Sequence, residues 1–209
     1  MQMLYKIVAI LSLIGLLWGC AILVTTLQPW TYQAYLPSLS AYDPHHLGEK
    51  TIRENYQAMV NYGLNPWSGQ TLEFQGLEMS TQGRQHFREV RAVFQIILKA
   101  TLICLFLFLA TLSALRRQNG LASPLLWGPI GALVFPGLVG LMMLVDFNRA
   151  FTLFHQVIFR NSYWIFDPAQ DPIIEYLPQA FFQSMAFIIL LMLLALCLLS
   201  FTLYAKAKH

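Results

Sequence analysis

Phe181-Phe-Gln-Ser-Met-Ala-Phe-Ile-Ile-Leu-Leu-Met-Leu-Leu-Ala-Leu-Cys-Leu-Leu-Ser-Phe-Thr-Leu-Tyr204 carries no charged residue over its whole length. A helix needs about 20 apolar residues to cross a hydrocarbon core of roughly 30 Å, so this stretch predicts a transmembrane helix. Outward from it, Ile7 to Leu27, Val93 to Leu115 and Leu125 to Val145 meet the same test. Only the second of these three holds a charge, Lys99, near one end, where its ammonium extends toward the headgroups. Across the chain, 57% of residues are hydrophobic and 11% charged, a balance that could hardly cover a surface facing water. The expectation is one all-α polytopic membrane domain over residues 1–209, with four transmembrane helices.

Short loops fix the orientation, because Lys and Arg collect on the cytoplasmic side. Lys6 precedes the first span, Arg116 and Arg117 follow the second, and Lys206 and Lys208 follow the fourth. Both termini are therefore expected in the cytoplasm. Every Asp and Glu then lies in two outer segments, Asp43 to Glu89 and Asp146 to Glu175. The formal charge of +3 reflects this topology, and no basic tail points to nucleic acid. Leu17-Trp18-Gly19-Cys20 loosely matches a lipoprotein signal, but Trp18 is atypical there and the apolar run continues to Leu27, which makes a full span. Cys20, Cys104 and Cys197 all lie in apolar stretches, where a thiol acts as a small hydrophobe.

The first outer segment, 28–92, is rich in Trp, Tyr and Pro and predicts a small folded cap. Thr51-Ile52-Arg53-Glu54 fits a capping box, with Ile52, Tyr56, Met59 and Val60 at helical spacing and Gly63 as a terminator. Leu72 to Leu77, flanked by Gly69 and Gly76, reads as a short strand. Ser80 or Thr81 caps a second helix that runs uninterrupted into the second span. On that helix Glu89 follows His86 by three residues, close enough to accept a hydrogen bond from the imidazole. Arg84, Arg88 and Arg91 surround the pair, which is equally the pattern of a basic anchor for lipid phosphates. The third span holds Gly128, Pro129, Gly131, Pro136, Gly137 and Gly140, which permit close helix packing or line a cavity.

The second outer segment, 146–180, places His155 on a helical face with Phe151 and Ile158, flanked by Phe154 and Phe159. A histidine there is either a packing residue or one that meets an acyl substrate. Asn161-Ser162-Tyr163-Trp164 has interfacial character, and Asp167-Pro168 and Asp171-Pro172 read as turns.

His86-Phe-Arg-Glu89-Val90 and the stretch Phe151 to Phe182, with Phe154-His155, Asn161, Trp164, Asp167-Pro168, Asp171 and Leu177-Pro178, resemble Lit, the lipoprotein intramolecular transacylase family. The resemblance covers essentially the whole chain. It implies a bacterial cytoplasmic membrane enzyme whose site lies on the outer side. Its substrate would be a diacylglyceryl-modified lipoprotein, met among membrane lipids, and the sn-2 acyl chain would move onto the cysteine α-amine to give the lyso form. His86 and His155 are implied as the catalytic pair. Glu89 stands where the family is expected to have Asp, and Gln179 where it is expected to have Glu. Glu89, Arg91, Asn161, Ser162, Tyr163, Trp164, Asp167 and Asp171 are carried as substrate-binding or orienting candidates.

The chemistry suits those residues. Ester to amide is downhill, so neither ATP nor any cofactor is expected. An α-ammonium with pKa about 8 must lose a proton and a glyceryl oxygen must gain one, and histidine can do either near neutral pH. One imidazole would serve as base and the other would polarise the carbonyl or protonate the leaving oxygen; alternatively one carries a transient acyl group. A lateral opening between the second and third spans is the expected lipid route. Two other readings are a membrane zinc or copper protein built on His45, His46, His86 and His155 and a non-enzymatic scaffold. The spans lack the paired ionisable residues of an ion path, and Ser68-Gly69 and Ser162 lack the context of a serine hydrolase.

Overall fold

The computed structural model describes residues 1–67, 71–117 and 120–207. Among them its named elements are all helices: α1 (Gln2–Leu27), α2 (Trp30–Gln33), α3 (Leu36–Tyr42), α4 (Gly48–Leu64), α5 (Thr81–Arg117), α6 (Ala122–Val145), α7 (Phe147–Phe159), a 3-10 turn (Pro172–Tyr176) and α8 (Gln179–Ala207). Among the described residues three helices, α1, α5 and α8, are long and apolar enough to cross a membrane. Each of the four expected spans falls inside one helix, the third inside α6. Lys208 and Ser68-Gly69 lie outside the described residues. The chain divides into two compact units, one of Met1–Thr25, Ile97–Asp146 and Phe187–His209, the other of Thr26–Ile96 and Phe147–Ala186.

In the first unit Leu13, Leu17, Ala21, Ala132, Leu193 and Cys197 form the buried core. α6 stays helical through Pro129 and Pro136, although each proline lacks the N–H that would satisfy the carbonyl four residues earlier. Those two carbonyls are Leu125 O and Ala132 O. Ser200 Oγ donates to the first at 3.1 Å and Trp18 Nε1 to the second at 3.1 Å. The prolines thus create two acceptors inside an apolar helix, and neighbouring helices answer both. Trp18→Phe should lower stability by about 1–2 kcal/mol, and Pro136→Ala, which returns the missing N–H, should remove most of that loss. Thermal unfolding in detergent checks it; an equal Trp18→Phe loss in both backgrounds would show the proline has no part in it.

The second unit is built on Tyr32 and Tyr56, stacked at 3.8 Å, with Phe181 edge-on to both. Tyr32 Oη donates to Tyr176 O at 3.0 Å, and Tyr176 Oη donates to Asp43 Oδ1 at 2.7 Å. Three local expectations are corrected here. α4 begins at Gly48, not at Thr51, because Asp43 takes the N–H groups of Leu47 and Gly48 at 3.0 and 2.8 Å. Gly63 does not stop α4, which ends one residue later against Asn65. Leu72 to Leu77 forms no strand; a single bridge joins Phe74 to Leu77 around a turn with Gly76 at φ 72°. The Asn55 amide holds that turn by bonding Gln75 N and Gln75 O. The expected start of α5 stands: Ser80 Oγ accepts from Gly83 N at 2.9 Å.

Candidate active site

α5 begins in the second unit, and its residues before Val93, the first of the apolar run, precede the membrane-spanning part. His86 projects from this segment and is 7% exposed. Rings enclose it: Phe159 at 4.8 Å, Phe166 at 5.4 Å and Phe87 at 6.0 Å between centroids. The ring of His155, from α7, lies 6.1 Å away. His155 in turn sits against Phe151 at 4.0 Å, Trp164 at 4.8 Å and Phe159 at 5.5 Å. Phe159 therefore touches both imidazoles. The two histidines, 69 positions apart by subtraction of their numbers, share one aromatic enclosure.

That enclosure sets their protonation. Removal from water disfavours the imidazolium, and it drives the His86 pKa down to about 4, with His155 adding to the fall and Glu89 opposing it. Burial also lowers His155, partly offset by the carbonyl of Phe151. His155 Nδ1 lies 2.8 Å from Phe151 O. His86 Nδ1 is buried without a hydrogen-bond partner. Burial therefore favours the neutral form of both rings.

The expected His86–Glu89 hydrogen bond is not made. The Glu89 carboxylate accepts from Gln85 Nε2 at 3.1 Å and from Asn161 Nδ2 at 3.1 and 3.0 Å. Asn161 follows Arg160, whose φ of 55° turns the chain sharply out of α7. Its Oδ1 accepts from Tyr163 N, and its carbonyl accepts the Trp164 indole N–H at 2.8 Å. Asn161 thus ties α5 to the loop that holds Trp164 against His155. Ser162 is exposed and Tyr163 half-buried beside it. Arg91 turns elsewhere, over the Tyr62 ring at 4.8 Å and toward Asn65 O at 3.3 Å.

Asp167 makes the expected turn, accepting from Ala169 N at 3.0 Å. Asp171 does more than turn the chain. It is 4% exposed and accepts both Ser80 N, at 2.8 Å, and Ser80 Oγ, at 2.6 Å. His45 pairs with Glu175 at 2.8 Å, and among the described residues no three His, Cys, Asp or Glu side chains group as a metal site. Phe166 and Gln85 were not singled out from sequence. An aromatic run from Tyr163 to Phe166 was the available signal for the first; nothing marked the second.

Residues 6–182 match the model of the lipoprotein intramolecular transacylase Lit. The chain belongs to the Lit family. Among solved structures, the membrane-integral Lit from Bacillus cereus is 30% identical, covering 100% of this chain and 96% of its own, with a TM-score of 0.93. Two variants of that protein, with a histidine replaced by arginine or by alanine, match at 29% identity and TM-score 0.86, covering 100% of this chain and 92% and 94% of theirs. No curated protein sequence matches. As a Lit enzyme the chain is a membrane-integral acyltransferase that moves an acyl group within a lipoprotein molecule.

Proposed function

We propose that His155 is the general base and His86 the hydrogen-bond donor that move the sn-2 acyl chain of diacylglyceryl-cysteine onto the cysteine α-amine. The hydrogen bond between His155 Nδ1 and Phe151 O carries this reading. A carbonyl only accepts, so Nδ1 holds the ring proton and Nε2 keeps its lone pair. His86 is the complement. Orphaned buried N–H groups are rarer than under-satisfied acceptors, so with Nδ1 unpartnered we place the proton on Nε2. A neutral imidazole of this kind polarises a carbonyl and holds the oxyanion that follows.

The reaction then balances. The α-ammonium gives one proton to His155 Nε2, and the amine attacks the sn-2 carbonyl carbon. As the bond from that carbon to the glyceryl oxygen breaks, His155 returns its proton to the oxygen. The new amide nitrogen loses its second proton to water, so one proton is released per turnover. Donor and acceptor are one molecule, and positioning supplies much of the acceleration.

The chain crosses the bacterial cytoplasmic membrane four times, with both termini inside and the segments 28–92 and 146–180 on the extracytoplasmic side. Several features support this arrangement. The 24 residues of α6 reach about 36 Å at about 1.5 Å per residue, enough for a fourth span. α7 exposes Leu153, Phe154, Val157 and Ile158 beside His155, as an interfacial helix does when it lies among acyl chains. The basic residues Lys6, Arg116, Arg117 and Lys206 border the span ends that do not lead into the segments 28–92 and 146–180, as expected of cytoplasmic ends.

The test is a co-expressed reporter lipoprotein whose N-terminal peptide is read by fragmentation mass spectrometry. Transfer within one molecule leaves the mass unchanged and changes only which fragment holds the acyl chain. Acyl on the cysteine nitrogen in cells with the intact protein is the expected result, and acyl remaining on glycerol would overturn the reading.

Because burial lowers the His155 pKa, its lone pair persists as pH falls below the ordinary 6.5 and is lost only on passing through the lowered value. Nitrogen-15 histidine NMR in detergent should find a neutral Nδ1–H ring at pH 6.5. A ring at least half protonated there would remove the proposed base.

A further inference from the structure

We propose that the Glu89 carboxylate receives the α-ammonium of the substrate and presents it to the two histidines, and that acyl transfer itself ends this contact. The proposal rests on the transacylase reading above and adds the group that recognises the acceptor end.

The argument begins with charge. Glu89 is half-buried, and both its oxygens are held by neutral amides alone, those of Gln85 and Asn161. A carboxylate offers about four lone-pair sites, and these amide donors do not neutralise it. Among the described residues, His45–Glu175, Lys50–Glu54 and Arg53–Glu49 are ion pairs, and none of these involves Glu89. An anion drawn partly out of water without a cation is costly, and a cationic ligand offsets that cost.

Geometry says where the ligand would sit. Glu89 stands three residues beyond His86 on α5, and Asn161, which grips it, stands six residues beyond His155. The carboxylate is thereby fixed to both histidine-bearing segments. Asn161 can neither give up nor gain a proton near neutral pH, so it orients the carboxylate without neutralising it. The substrate brings the missing charge, because a free α-amine with pKa about 8 is mostly ammonium at pH 7. Once the nitrogen is acylated it is a neutral amide. The attraction that seated the substrate is then gone, and the product is released by its own chemistry.

Two unreactive analogues of a diacylglyceryl-cysteine peptide separate the possibilities. One carries an α-dimethylammonium, charged but unable to form a stable amide, and the other an α-acetamide, which is neutral. Inhibition constants are measured on the purified full chain in detergent, alongside turnover of the free-amine peptide. The intact protein should favour the cationic analogue by roughly 10- to 100-fold. Glu89→Gln should bring that preference within about threefold, and Glu89→Asp, which keeps the charge, should retain most of it. A preference that survives in Glu89→Gln, an intact protein with none, or equal weakening for both analogues would overturn the proposal. Failure of the intact protein to convert the free-amine peptide would instead overturn the transacylase reading, whatever the analogues do.

Discussion

His155→Ala should reduce acyl transfer by about 1,000-fold or more. A positioned base contributes about 100- to 10,000-fold, and the alanine removes Nε2 with no substitute nearby, since in the proposed mechanism His86 presents a donor. His86→Ala should cost about 100- to 1,000-fold, the range for one lost oxyanion donor. Both act on one transition state, so the double variant should fall far short of the product of the single losses. Initial rates on a synthetic diacylglyceryl-cysteine peptide measure this. Thermal unfolding of each variant separates lost chemistry from lost fold, because the alanines leave gaps beside Phe159, which touches both rings. A His155→Ala protein that unfolds normally and keeps a tenth of the rate would dismiss His155 as base. Acid quenching during turnover should trap no acylated histidine, since the lone pair takes a proton in this mechanism.

The helices were legible because the bilayer imposes a length and a composition, and runs such as Phe181 to Tyr204 satisfy both without reference to any partner. The same reasoning placed the start of α5, whose cap is local: Ser80 bonds Gly83 three residues on. It failed at α4, where Thr51 and Glu54 imitate a capping box while Asp43 reaches across a loop bent at His46 (φ 53°) and Gly48 (φ 76°). It failed again at Leu72 to Leu77, where flanking glycines suggested a strand but, among the described residues, only the Phe74–Leu77 bridge forms.

Within the site, both histidines stand out in the sequence, the resemblance implies them as a catalytic pair, and their chemistry follows from residue type. Their partners did not follow. Helical spacing correctly puts Glu89 beside His86, yet Glu89 bonds Asn161, 72 positions away by subtraction. A helix repeat says who is near along one element. It carries no information about what another element brings to the same place.

Asp171→Ala should lower stability by about 2–4 kcal/mol and silence the enzyme at temperatures where the intact protein works. Asp171 is 4% exposed and takes both Ser80 N and Ser80 Oγ, while Ser80 Oγ takes Gly83 N. The carboxylate therefore closes the first turn of α5, where its charge also meets the positive end of the helix. Without it Ser80 N is a half-buried donor lacking this acceptor, and the turn that begins six residues before His86 loses its anchor. Gly83 is part of the same device, since a Cβ there would overlap Asp171 Oδ1, so Gly83→Ala should destabilise too. The decisive comparison is the pair. If steric conflict with the carboxylate is what Gly83 avoids, Gly83→Ala should cost much less in an Asp171→Ala background than alone. Thermal unfolding and turnover of the two single variants and the double variant measure both effects. Additive losses, or an Asp171→Ala enzyme with unchanged unfolding and rate, would mean that the first turn of α5 is held by something other than this contact.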